Sequence, residues 1–352
     1  MDVFFANLNG WRCRRFAYLR AYSRMKDTTF RITALWAFSE CALGGVMHAL
    51  KLPFTGLFVG GFAVLCIGLL AHTSGRSAAV VLRATVLVIL VKAMVSPHSP
   101  PTAYLAVGFQ GLTGALLLCY LRPFGAAALL FGFLAITESA VQKLLTLYLF
   151  FGKSLFEAAD IFFADVLQVF GLQSEVSWAW AVVYAYVGLY GLWGLMLGFW
   201  IPRLPAQLER RAAQYADIEL ENAPSEQPAL KRSGRKWLVF GAVLLFIAGT
   251  FLLAGGKAAG VQKALYAVLR TTAVLAAWFF VVQPLVAYFF KRWAKRQTEA
   301  ERGTLAQIVD FMPDLRAQAI PLYRHVAQRY PGWQRWPEFV LALFARTMYS
   351  DE

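Results

Sequence analysis

What most constrains this chain is a series of apolar runs, each about twenty residues long and rich in Leu, Ala, Val, Phe and Gly. A hydrocarbon layer roughly 30 Å thick needs about 20 helical residues to cross it. The runs lack the period-two alternation of an outer-membrane barrel strand. They predict an all-α fold, a polytopic transmembrane helical bundle with spans at about 31–50, 56–72, 77–96, 103–121, 124–151, 177–201, 237–255 and 264–290. That makes about eight spans, six followed by two. The breakers between them are Lys51-Leu52-Pro53, Thr73-Ser74-Gly75, Ser96-Pro97 and Arg122-Pro123. Apolar residues make up 59% of the chain and charged residues 15%, against roughly 45–50% and 25% in a soluble domain.

Charge orients the bundle. Arg12, Arg14, Arg15, Arg20, Arg24 and Lys26 lie in the segment 1–30, Arg76 and Arg122 in later connectors, and Arg203, Arg210 and Arg211 after the sixth run. All fall on one side of an eight-span arrangement, and the other side holds only Lys51, Lys153, Lys257 and Lys263. The positive-inside rule therefore predicts both termini in the cytoplasm, in a multi-pass inner membrane protein. A net charge of +14 suggests nucleic acid in a soluble protein. Here the basic residues lie between and after the spans, so the expected partner is the lipid bilayer and not nucleic acid. The first run continues to about Leu50 without a cleavage motif and reads as a retained span.

The organisation expected is a basic tail at 1–30, a six-span domain at 31–201, a linker at 202–236, a two-span hairpin at 237–290 and a cytoplasmic tail at 291–352. The linker includes Glu219–Pro228, whose polar composition predicts flexibility. The connector at 152–176 mixes Phe156, Ile161, Phe162, Phe163 and Phe170 with Glu157, Asp160 and Asp165, as an interfacial helix or a lid does.

A charge in hydrocarbon costs a few kcal/mol, so each intramembrane polar residue needs a reason. Glu40 lies near the middle of the first span, Gln110 of the fourth and Glu138 of the fifth, with Gln142 one turn on and Lys143 beyond it. Glu40, Gln110, Glu138, Gln142 and Lys143 form the expected ligand-binding site, as a polar pocket or a proton or ion relay. The alternative is a Glu–Lys pair and amide hydrogen bonds that hold helices together. Arg83 and Lys92 lie within about two turns of their span's ends and are expected to snorkel outward. Gly108, Gly111 and Gly114 allow close approach in the fourth span. In the sixth, Trp178, Trp180, Tyr184, Tyr186, Tyr190, Trp193 and Trp200 interleave with glycines, for interface anchoring and close packing or for stacking a flat ligand.

Catalytic and metal signatures are absent from the sequence. Gly152-Lys153-Ser154 has Leu147 where the first glycine of a P-loop stands. His48 and His98 are too few for a metal site. No enzyme activity, metal or cofactor is expected in this chain. Glu157, Asp160, Asp165, His48 and His98 carry no recognisable spacing of a lipid-processing enzyme, which ranks last among the readings.

In the tail, Leu305, Ile308, Val309, Met312 and Leu315 share one stripe, opposite Glu301, Arg302, Gln307, Asp310 and Arg316. Pro313 and Pro321 are expected to kink or divide it. The mixed charges favour a soluble protein partner for that stripe over lipid.

A six-span unit with short connectors, mid-membrane polar residues and glycine-laced spans resembles the substrate-binding S component of energy-coupling factor (ECF) transporters over roughly residues 30–201. The last two spans and the amphipathic tail are loosely similar to part of the T component, with Ala345-Arg346-Thr347 nearest to its Ala-Arg-Gly string. Ala34 is followed by Phe38, and Ala37 by Cys41, where S components show Ala-x-x-x-Ala. The start Met1-Asp2-Val3-Phe4 lacks the Met-x-His of the nickel and cobalt members. The resemblance implies capture of a small organic, vitamin-like solute, energised by separate cytoplasmic ATPase subunits that hold the ATP. The competing expectation is a non-catalytic membrane scaffold or assembly subunit that recruits a soluble partner through its tail.

Overall fold

The computed structural model describes residues 27–44, 54–96, 101–169, 177–215, 257–282 and 299–349, with isolated positions between them. Among the described residues the chain is all-helical, with no strand. We number the helices α1 (27–44), α2 (Thr55–Thr73), α3 (Ala78–Val95), α4 (Pro101–Tyr120), α5 (Phe124–Phe151), α6 (Lys153–Val169), α7 (Trp178–Trp200), α8 (Leu204–Tyr215), α9 (Lys257–Ala277), α10 (Glu299–Arg329) and α11 (Arg335–Tyr349). Six helices among the described residues are long and apolar enough to cross a membrane: α2, α3, α4, α5, the helix that begins at Trp178, and Ala264–Val282. Of the other two runs, the first is described as α1, and 237–255 lies outside the described residues except for Leu245.

α1 and α2 form the centre. Ile32, Ala34, Leu35, Trp36 and Ala37 of α1 are fully buried, as are Ala63, Val64, Cys66, Ile67 and Leu70 of α2. The surrounding spans bury one face and show large apolar side chains on the other, among them Leu105, Leu112, Leu116, Val141, Leu145 and Leu192. A helix apolar all round, with half its surface uncovered, has the distribution of a span facing lipid tails.

Without a hydrophobic drive between helices in lipid, close association relies on small residues that let backbones touch. α5 and α7 run antiparallel on such a seam: Gly132 meets Gly194 and Gly198 backbone to backbone, and Gly198 also abuts Ala128. Gly111 is filled across the α3–α4 contact by the Thr85 side chain, and Gly114 by Ile67 and Phe131. Close packing is thus the use these glycines are put to.

One end of the bundle collects the basic residues. Arg76 sits in the turn after α2 and donates from Nε to the Leu118 carbonyl at 2.7 Å and from Nη2 to the Leu121 carbonyl, satisfying the last carbonyls of α4. Its guanidinium also lies 5.5 Å from the Phe124 ring centroid. Arg122 and Arg203 flank the same end, where α4 and α7 finish and α5 begins.

At that end the first part of the linker is helical. Leu204–Tyr215 is the amphipathic helix α8, and Leu204, Leu208 and Tyr215 are buried. Glu219–Pro228 lies outside the described residues. α11 covers α8. Glu338 receives two bonds from Arg211, 2.9 Å to Oε1 and 2.8 Å to Oε2, and a third from the Tyr215 hydroxyl at 3.0 Å. Arg346 ties α11 to the Tyr215 carbonyl at 3.3 Å and to Gln318 of α10 at 3.2 Å.

The tail hairpin also reaches the core of the bundle. Phe344 stacks on Phe62 at 5.0 Å, Phe311 lies 6.1 Å from Phe30, and Arg31 donates to the Thr347 carbonyl at 3.3 Å. The stripe expected to bind a soluble partner is therefore used inside the chain. Leu305, Ile308 and Leu315 are buried in the same cluster as the spans, with Val309 and Met312 packed beside them. α10 runs through Pro313 and Pro321 undivided. Ile308, Leu315 and Leu322 recur every seven residues on its buried side, so packing on both sides of each proline compensates for the missing backbone bonds.

Candidate functional site

Glu40 sits in a π-helical turn, Ser39–Leu43, within α1. Such turns add a residue to the helical ladder and are frequent at functional positions. Ser39 donates to the Trp36 carbonyl at 2.8 Å, and Glu40 Oε2 receives Lys92 Nζ of α3 at 2.6 Å. Both side chains of this pair are almost wholly buried. Lys92 thus turns inward to Glu40, where the sequence suggested snorkelling. Its position near the helix end was read correctly, but its face was not. Arg83 is exposed, as expected.

Three of the other expected residues lie along the α4–α5 seam. Gln110 is 2% exposed; its Nε2 reaches the Ala135 carbonyl at 3.5 Å, and its Oε1 has no partner. Gly60 of α2 leaves Gln110 room, since a Cβ there would stand 3.0 Å from Nε2. Within the next turn of α5, Thr137 Oγ1 and Glu138 Oε2 are buried without partners. Ser139 faces Gly56, whose Cβ would stand 3.1 Å from the serine Cβ. Gln142 donates to the Thr102 carbonyl at 2.8 Å. Lys143 is exposed, and no ion pair joins it to Glu138 among the described residues. The five expected residues therefore do not converge. Glu40 belongs to the α1–α3 contact, Gln110, Glu138 and Gln142 to the α4–α5 seam, and Lys143 to neither.

Aromatic groups from α7 close the seam on the side of α2. The Tyr186 hydroxyl donates to the Tyr190 hydroxyl at 3.1 Å, and Phe54 lies 6.3 and 6.5 Å from their rings. Trp193 Nε1 donates to the Leu57 carbonyl at 3.1 Å. Trp180 and Tyr184, by contrast, face outward. The sequence named this helix but could not say which aromatics turn inward, because every face of it is apolar.

The connector after α5 is the helix α6. Gly152, at a φ of 69°, makes the turn into it, and the Arg270 side chain occupies the space where a Cβ would stand. Asp160 accepts from the Ser177 hydroxyl at 2.8 Å and from the Ala179 amide at 2.8 Å. Its carboxylate thus sits at the start of α7, where the helix dipole favours an anion. Phe156 stacks on Trp180 at 5.9 Å. α6 is fastened to the far end of the bundle, next to the half that holds Gln142 and Tyr186.

Among the described residues no group of three His, Cys, Asp or Glu side chains is placed to hold a metal. His48 and His98 lie outside them. Cys41, Cys66 and Cys119 are free thiols. The chain matches no known protein family, and no characterised protein or solved structure shows significant similarity to it.

Proposed function

We propose that this protein is a transporter subunit that binds a small organic, vitamin-like solute within its six-span unit and is energised by separate ATPase subunits. In this reading the chain has eight spans and cytoplasmic termini, and lies in an inner membrane. The observation that carries it is a set of three buried, unpartnered polar atoms, Gln110 Oε1, Thr137 Oγ1 and Glu138 Oε2, near mid-span of α4 and α5. Buried polar groups are nearly always hydrogen-bonded, and a few convergent polar atoms in apolar walls are how pockets orient small ligands. The trio lies near mid-span of α4 and α5, and in this reading the solute enters from the face opposite the basic end.

The resemblance to S components of energy-coupling factor transporters gives the second support. The tail helices expected to act as coupling helices are seated on α1, α2 and α8. Asp310, Asp314 and Gln328 point away from that contact and leave an outer face for soluble subunits. The scaffold reading is weaker, because the apolar stripe at Leu305–Leu315 through which the tail was to recruit a partner is covered.

The test is purification of the native complex in mild detergent, with mass spectrometry of copurifying proteins and small molecules. Stoichiometric ATPase subunits and a retained metabolite are expected. Gln110→Ala and Glu138→Gln should each lose the metabolite while keeping the ATPases. A wild-type preparation that is alone and empty overturns the reading.

A further inference from the structure

The seam between α8 and the α10–α11 turn leaves a cleft of about 660 Å³, remote from the polar seam of α4 and α5. Trp200, the last residue of α7, forms one wall, and Pro337 and Leu341 of α11 form another. Gln207, Arg210 and Gln214 also line it. Their spacing of three and four residues puts them on one side of α8.

Charge decides what such a cleft can hold. Arg211 reaches the cleft, but its guanidinium is engaged on both oxygens of Glu338. Arg210 is exposed and has no acidic partner among the described residues. The lining thus combines one guanidinium free to bind an anion with the amide groups of Gln207, Gln214 and Gln334. A guanidinium fork with neutral donors around it is suited to phosphate, whose oxygens accept from several directions at once.

Position indicates where the phosphate comes from. Tryptophan at the end of a span sits at headgroup depth, and Arg203 follows Trp200 within the same turn. Basic pockets beside the cytoplasmic ends of spans take anionic lipid headgroups. The cleft exceeds what a lone phosphate fills, and its apolar walls suit the glycerol attached to one. We propose that the cleft binds the phosphate-bearing headgroup of an anionic phospholipid, which then bridges α11 to the end of α7. This inference rests on the membrane-spanning character of α7 and not on the identity of any transported solute.

The experiment measures thermal unfolding of the full-length protein in neutral detergent, with added phosphatidylglycerol, phosphatidylcholine or inorganic phosphate. Phosphatidylglycerol should raise the midpoint by roughly 3 °C or more, with phosphatidylcholine and inorganic phosphate giving less than half of that. Arg210→Gln should remove most of the phosphatidylglycerol response. Arg324→Gln, an equal loss of charge at an exposed position outside the cleft, should keep it. Equal responses to the two lipids, or a full response in Arg210→Gln, overturn the proposal. Inorganic phosphate reproducing the whole shift overturns the lipid as the source.

Discussion

Lys92 Nζ lies 2.6 Å from Glu40 Oε2 across the α1–α3 contact, and neither side chain is more than 7% exposed. Removing one member of such a pair leaves the other charge buried and alone, at a cost of about 3–5 kcal/mol, whereas removing both is much milder. Glu40→Gln and Lys92→Met should each lower the unfolding midpoint sharply, and the double variant should recover a large part of the loss. Thermal unfolding of the four proteins in one detergent closes the cycle. Additive losses in the double variant would show that the two charges do not depend on each other.

The glycines of the bundle should respond unequally to alanine. At Gly194 a Cβ would stand 2.8 Å from the Gly132 carbonyl carbon and 3.0 Å from Phe133 Cα. Backbone cannot swing aside as a side chain can, so Gly194→Ala should push α5 and α7 apart. Destabilisation of about 1–3 kcal/mol is expected from overpacking. Gly188 and Gly125 face open space, and alanine there should be neutral or stabilising by up to about 1 kcal/mol through helix propensity. Size-exclusion profiles and thermal midpoints of the three variants check the ranking, and a ranking in which Gly188→Ala is the worst contradicts the α5–α7 seam.

How much of this was legible beforehand depended on the kind of signal. The bounds of α5 were read to the residue, because Arg122-Pro123 and Gly152 punctuate an otherwise unbroken apolar run. α8 was missed because its polar composition outweighed the three apolar positions, Leu204, Leu208 and Tyr215, that it buries. Glu40 and Gln110 stood out in the sequence because they interrupt hydrocarbon. Their partners did not. In a span apolar on every side, periodicity cannot say which face turns inward, so Lys92 was assigned to the wrong one. Arg211 and Glu338 are 127 residues apart, and nothing local to either segment announces the contact.

That contact makes a sharp prediction for the tail. Glu338 is buried beneath α8 and held by three bonds from Arg211 and Tyr215. Burial beside the Glu209 carboxylate also raises the Tyr349 phenol above its ordinary range, as expected for α11 lying against α8. Glu338→Ala should strand the Arg211 guanidinium and loosen the hairpin, at a cost of about 3 kcal/mol. Limited proteolysis should then cut 299–349 faster while leaving the spans intact. Arg211→Lys keeps the charge but loses the two-pronged geometry and should fall between wild type and Glu338→Ala. An unchanged cleavage rate in Glu338→Ala would mean that the tail is held by its other contacts, such as the Phe62–Phe344 stack and the buried face of α10, without the ion pair.

At the opposite end, Asp160 decides how tightly α6 is held. Its carboxylate joins the Ser177 hydroxyl and the Ala179 amide, so one side chain both caps α7 and anchors the helix that precedes it. Asp160→Asn keeps an acceptor and loses only the interaction of charge with the helix dipole, a change of about 0.5 kcal/mol. Asp160→Ala loses the cap as well, about 1 kcal/mol more. Because α6 otherwise holds to α7 through exposed aromatic contacts such as Phe156 on Trp180, that loss should fall on local opening rather than on global unfolding. Hydrogen exchange should therefore accelerate in Lys153–Val169 in the alanine variant, with little change in α2 or α5. If α6 is a lid over the polar seam, the same variant should also speed solute release, whereas an anchor lying on the membrane should give the exchange effect alone.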